Sequence, residues 1–138
     1  MAEYKEMAQR WFGEVMSEGK LDVVDELCSP DYFDHDPLPG TGADVAGLKE
    51  GIVQTRAAFP DMQVTADDIL VDGDRLAARS TMRATHEGDF LGLPATGKAV
   101  EVASYDIVRF EAGLVVEHWG VLDAAALMQQ IGAVPAGA

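Results

Sequence analysis

The chain has 138 residues, 48% of them apolar, and 24 acidic side chains against 10 basic ones, for a formal net charge of −14. That length and apolar content describe one domain with a core of its own, and the acidity argues against nucleic acid or an anionic membrane as a partner. No apolar run approaches membrane-spanning length, and the charged, amphipathic start MAEYKEMAQRWF resembles neither a signal nor a transit peptide, so the cytoplasm is the expected compartment.

Tyr4, Met7, Ala8, Trp11, Phe12, Val15 and Met16 recur at spacings of three and four, which predicts an amphipathic helix ending near Gly19. Leu21, Val24, Leu27 and Cys28 suggest a second, shorter helix stopped at Ser29-Pro30. The lone Cys28 excludes an intrachain disulfide or a thiolate metal cluster and reads as a small buried hydrophobe. DYFDHDPLPGTG, residues 31–42, reads as a short strand and then a proline- and glycine-rich loop. Asp44 is placed to cap a third helix with inner positions Val45, Leu48, Ile52 and Phe59, ended by Pro60.

From Met62 the period changes to two. Val64–Val71 and Arg75–His86 read as strands joined at Asp72-Gly73, and two longer alternating runs meet at Ala112-Gly113. Helices first and a curved antiparallel sheet afterwards make an α+β fold, with the helices on one face of the sheet.

Strand alternation groups Val115, Glu117, Trp119, Val121 and Asp123 on one face. A two-residue loop at Ala112-Gly113 then sets Asp106 opposite Trp119. A carboxylate at the strand's end beside Trp and Val loses water, which raises its proton affinity and suits it to acid/base work. Asp123 is therefore the first catalytic candidate, although it also stands where it could cap a helix beginning at Ala124. Asp106 shares its face with Val102, Ser104, Val108 and Phe110, so it needs a donor, a proton or a wet pocket. His118 falls on the face opposite Asp123 unless a bulge reverses it. His35 sits in the acidic run Asp34-His35-Asp36, and His86 closes its strand beside Glu87-Gly88. No two of these histidines have a metal-ligand spacing, and no metal or cofactor is expected. Arg79 and Arg83 share a face with Thr81 and Thr85, which reads as a solvated or subunit-facing surface. Gly92–Gly97 lacks the lysine and helix of a phosphate loop.

DYFDHDP at 31–37, RATHEGDFLGLPATGKAV at 83–100 and DIVRFEAGLVVEHWGVLD at 106–123 together resemble the SnoaL-like polyketide cyclases of the nuclear transport factor 2-like superfamily. The resemblance implies a cone-shaped α+β barrel in which helices wrap a strongly bent sheet around a deep apolar pocket, with dimers formed through the sheet. It also implies that Asp123 holds the position of the family's strand-end acid/base aspartate, which serves an intramolecular aldol closure without metal or cofactor. His35, His86 and His118 are then the candidates to assist it, with Tyr32, Phe90, Leu91, Asp106 and Trp119 contacting substrate. The expected function is a cofactor-independent acid/base enzyme that closes, isomerises or dehydrates a small apolar carbonyl compound. A non-catalytic module of the same fold that holds a hydrophobic ligand is the alternative. Epoxide hydrolysis is disfavoured, because Ser104 stands where that chemistry needs an arginine. The apolar face of Ala103, Tyr105, Ile107 and Val116 points to a homodimer.

Overall fold

The computed structural model describes residues 2–133. The first amphipathic run forms α1 (Ala2–Arg10) and continues as a π-helical turn over Trp11–Met16. Ser17 N–H donates to the Phe12 carbonyl five residues back, at 3.1 Å. Such widened turns are frequent at functional sites, and this one begins with Trp11 and Phe12. Next come α2 (Leu21–Leu27) and β1 (Cys28–Asp34). Asp44 caps α3 (Val45–Ala58) as expected, its Oδ1 accepting from Gly47 N–H at 2.8 Å.

Four antiparallel-linked strands follow: β2 (Gln63–Asp72), β3 (Arg75–Thr85), β4 (Ala99–Glu111) and β5 (Leu114–Leu122), closed by α4 (Ala124–Gln130). The sheet order is β1-β5-β4-β3-β2, with β1 parallel to β5, so the curved sheet is open rather than a closed barrel. The β2–β3 turn is Gly73-Asp74, because Asp72 pairs with Arg75; the expected turn lay one residue earlier.

The inner face of the sheet packs under the helices. Phe59, Met62, Met82, Val102 and Leu127 fill one end, while Val15, Val24, Leu27 and Ile52 tie α2 and α3 to the π-helical turn. Tyr4 stacks flat on Phe110 at 3.8 Å between ring centroids, fixing α1 across β4. Arg79 and Arg83 point outward to Asp68 and Glu101.

One irregularity decides which residues face inward. Glu111 pairs with Leu114 and Phe110 with Val115, but Arg109 pairs with Glu117, so Val116 is an extra residue on β5. This bulge flips the parity of everything after it. Val115 faces inward with Phe110, whereas His118, Gly120 and Leu122 take over the inner face and Glu117, Trp119 and Val121 turn outward. Asp106 consequently pairs with Gly120, not with Trp119.

The loop itself is the two-residue turn expected, with both Ala112 (φ 53°) and Gly113 (φ 81°) left-handed. That conformation costs an L-residue such as alanine about 1–2 kcal/mol, and asparagine bears it better. Ala112→Asn should therefore raise the unfolding free energy by roughly 0.5–1 kcal/mol in a urea titration, with an unchanged slope. A decrease would mean that the turn is not of this type.

Candidate active site

Beneath the helices the sheet encloses two compartments of about 100 and 240 Å³. They share the walls Trp11, Phe12, Leu48, Asp106 and His118. The smaller is otherwise almost wholly apolar, while the larger carries the polar side chains of Asp34, Asp36, Ser80 and Ser104.

At the shared wall the His118 imidazole is held between two carboxylates. Its Nδ1 lies 2.8 Å from Asp34 Oδ1 and its Nε2 lies 2.8 Å from Asp106 Oδ1. Three parts of the chain meet here because β1 runs parallel to β5 with Asp34 beside His118, and β4 sets Asp106 opposite Gly120. The two carboxylates have unequal surroundings. Asp34 is buried and also accepts from the Tyr32 hydroxyl at 3.0 Å and from Asp36 N–H at 2.8 Å. Asp106 is only partly covered, and its second partner is the Ser104 hydroxyl at a longer 3.2 Å.

These contacts set the charge states. Burial pushes the His118 pKa down, but the hydrogen bonds and charges of Asp106 and Asp34 outweigh it and hold the ring up at about 9. Burial likewise pushes Asp34 up, yet His118, the Asp36 amide and the Tyr32 hydroxyl together leave it below the usual carboxylate range. The ring is therefore an imidazolium at neutral pH, donating from both nitrogens.

Gly120 makes room for this pairing. A β-carbon there would collide with Asp106 Oδ1 and lie 2.8 Å from His118 Nε2. Its own N–H donates to Asp36 Oδ2 at 2.9 Å, which ties the loop after β1 to β5.

The structure brings together only some of the residues singled out from sequence. His118, Asp106, Tyr32 and Phe90 line the compartments. Asp123 does not: it is exposed, and its Oδ1 accepts from Ala126 N–H at 3.1 Å as the cap of α4. The expectation that it lies in an apolar cavity is thus corrected, because the bulge at Val116 turns the face it shares with Trp119 and Val121 outward. Trp119 is corrected for the same reason. It lies on the outer face, stacked on His35 at 4.6 Å with the Arg75 guanidinium 5.1 Å from its ring centroid. His35 is outside the cavity too, with Nε2 2.6 Å from Glu117 Oε2. Leu91 is exposed at the tip of its loop, with φ 50°. His86 is fully buried behind Phe59 rather than at a pocket mouth; its Nδ1 meets Thr96 Oγ1 at 3.0 Å and its Nε2 has no partner among the described residues.

Sequence reasoning missed Asp34 as the partner of His118, and it missed Trp11 and Phe12 as cavity walls. Tyr32 and Asp34 alternate on one face of β1, a signal that sits in the sequence. Cys28 lines the smaller compartment, where burial and the charges of Asp25 and Asp34 push its thiol up to about 12. Among the described residues no group of three His, Cys, Asp or Glu side chains is arranged to hold a metal ion.

A model of the SnoaL-like polyketide cyclase family matches residues 6–131. The chain belongs to that family. TsrD from Streptomyces laurentii superposes on this SnoaL-like protein with a TM-score of 0.89 at 28% identity, covering 96% of this chain and 97% of its own. IdmH from Streptomyces antibioticus, a polyketide cyclase candidate, superposes at 0.81 with 33% identity, covering 93% and 97%. AclR from Streptomyces galilaeus, a candidate hydroxylase, superposes at 0.85 with 30% identity, covering 98% and 84%. No protein of curated function matches the chain. The fold is the nuclear transport factor 2-like α+β architecture of these relatives, and no helix among the described residues is long and apolar enough to cross a membrane.

The paired ring has a consequence for stability. A folded-state pKa of about 9 against about 6.5 in the unfolded chain stabilises the fold fully below pH 6.5, and the gain is lost as pH rises through 9. The difference corresponds to about 3 kcal/mol. Gly120→Ala should lower stability at pH 7 and flatten this decline between pH 6.5 and 9 in denaturant titrations. An alanine variant with the parent's pH dependence would show that the carboxylates do not hold the ring.

Proposed function

We propose that this protein is a cofactor-independent acid/base enzyme that removes a proton alpha to a carbonyl, with Asp106 as base and His118 as the electrophilic donor. The observation that carries the reading is the charged imidazole held between two carboxylates at the junction of two otherwise largely apolar compartments. Asp34, with three donors, is fixed and keeps the ring protonated. Asp106, with one close partner among the described residues, is the carboxylate free to accept a proton.

A substrate carbonyl oxygen entering between His118 and Asp106 takes the Nε2–H bond that Asp106 now holds. Asp106 then removes the alpha proton, the C–H electron pair forms the C=C bond of the enolate as the carbonyl π pair moves onto oxygen, and the imidazolium stabilises that oxygen. In an aldol closure the enolate carbon attacks a second carbonyl of the same molecule. The new alkoxide regains the proton from Asp106, so the cycle needs no further reactant. Isomerisation and dehydration start from the same abstraction. The family membership and the candidate assignment of IdmH support ring closure on a polyketide-type compound as the reaction. Asp123 keeps its place as the cap of α4 in this reading, and an acid/base role at that position is the competing assignment.

A panel of beta-keto esters and enones in deuterated water, followed by NMR, reads alpha-proton exchange whatever the natural substrate is. The parent protein should accelerate exchange, and Asp106→Asn and His118→Asn should each lose about a hundredfold or more. Asp123→Asn should keep the parent's rate. Loss in Asp123→Asn with retention in Asp106→Asn would move the base to Asp123, and no exchange by the parent on any compound would favour a non-catalytic binding module.

The partner proposed for the outer face is a second copy of this chain. Leu70, Val121, Tyr105 and Ile107 are 69, 64, 51 and 43% exposed there, a contiguous apolar surface of the kind that marks an interface. Light scattering should report twice the 14.8 kDa chain mass, and Ile107→Lys should return it to the single mass with the fold intact. A monomeric parent protein at micromolar concentration would remove the dimer.

A further inference from the structure

The two compartments that meet at His118 differ in chemistry, and the difference restricts what can bind across them. In the smaller one the Tyr32 hydroxyl is committed to Asp34, and the Cys28 thiol is held protonated by its burial. Beyond the shared wall, which holds the Trp11 indole as well as His118 and Asp106, the lining among the described residues is otherwise apolar: Met7, Ala8, Leu27, Leu76, Phe110 and Val115 close it. A polar group placed against that apolar wall would lose its water without a partner there, which costs about 1–3 kcal/mol. The larger compartment carries the hydroxyls of Ser80 and Ser104 and the Asp36 carboxylate, so it accepts oxygen-bearing groups.

We infer that the smaller compartment is a subsite for a short hydrocarbon terminus attached directly to the reacting carbonyl, with the oxygenated remainder of the ligand in the larger compartment. The inference rests on the proposed site at His118 and Asp106 and adds the substrate class to it. An apolar cavity of about 150 Å³ stays dry and accepts benzene, so about 100 Å³ scales to roughly four carbons. The class is therefore a keto ester or polyketone with a short alkyl end on the keto side. Hydrogen-bonding substituents on that end are disfavoured, and alkyl ends much longer than four carbons find no further apolar wall. Trp11 and Phe12 of the π-helical turn line both compartments.

The test is calorimetric titration with ethyl beta-keto esters whose keto-side alkyl chain grows from methyl to propyl, pentyl and heptyl. Affinity for the parent protein should rise about fourfold per methylene up to roughly the fourth carbon and then level off. Ala8→Leu narrows the subsite from the helix side and Leu76→Phe from the sheet side, so either one carries the test if the other does not fold by circular dichroism. Each should bind the methyl compound as the parent does and lose the gain from propyl onward. A parent protein that binds none of the series, or binds it without dependence on chain length, overturns the subsite, as does parental chain-length dependence in a folded variant. Binding is read separately from turnover. Chain-dependent binding without proton exchange would sink the enzyme reading alone, and exchange without chain dependence would sink the subsite alone.

Discussion

The arrangement of the cavity depends on one buried, charge-assisted contact: an imidazolium clamped between Asp34 and Asp106. Burying such a ring is unfavourable without partners, and leaving either carboxylate there unpaired is worse. The surroundings are built to prevent both. Tyr32 and the Asp36 amide satisfy what remains of Asp34, Ser104 meets the second oxygen of Asp106, and Gly120 leaves the volume in which Asp106 and His118 approach. The contact also joins segments far apart in sequence, since Asp34 and His118 are 84 residues apart. It closes β1 onto β5 and so completes the sheet around the cavity. The same clamp that organises the fold presents a proton donor and a carboxylate at the junction of two compartments of different polarity, which is where carbonyl chemistry needs them.

A single extra residue makes that contact possible. Without the bulge at Val116, β5 would continue the register of the turn and set Glu117 against Val108 and Trp119 against Asp106 on the inner face. His118 would then face outward. With it, Glu117 joins Arg109 and His35 on the outer surface, and the histidine takes the inner position. Bulges near active sites commonly re-aim side chains in this way. On the helical side Trp11 and Phe12, at the start of the π-helical turn, line the cavity together with Met7 and Ala8.

Much of the fold was legible in the sequence because its signals are local. The three- and four-residue spacings marked the first helices, Asp44 marked the cap of α3, and Ala112-Gly113 marked the hairpin. The family motifs also led to the right architecture. The site was less legible because it depends on strand parity, which one insertion reverses without changing composition. Asp123, Trp119 and Val121 were grouped correctly with one another, but on the wrong side of the sheet. A warning was present: regular pairing buries Glu117 beside Val108, an unfavourable place for a carboxylate. Asp106 was recognised as needing a donor, yet the donor proved to be the histidine whose orientation the bulge controls. His35 was noticed for its acidic neighbours, although it is those neighbours, Asp34 and Asp36, that line the cavity.

The claim on which the rest stands is that His118 is held doubly paired and positively charged, and its NMR titration tests this directly. The ring carbons, assigned by comparison with His35→Gln and His86→Gln variants, should titrate with a midpoint near 9 and not move when Asp123 is replaced by asparagine. A His118 midpoint at the ordinary value of about 6.5 would mean that the two carboxylates do not clamp the ring, and the account of the site would fail.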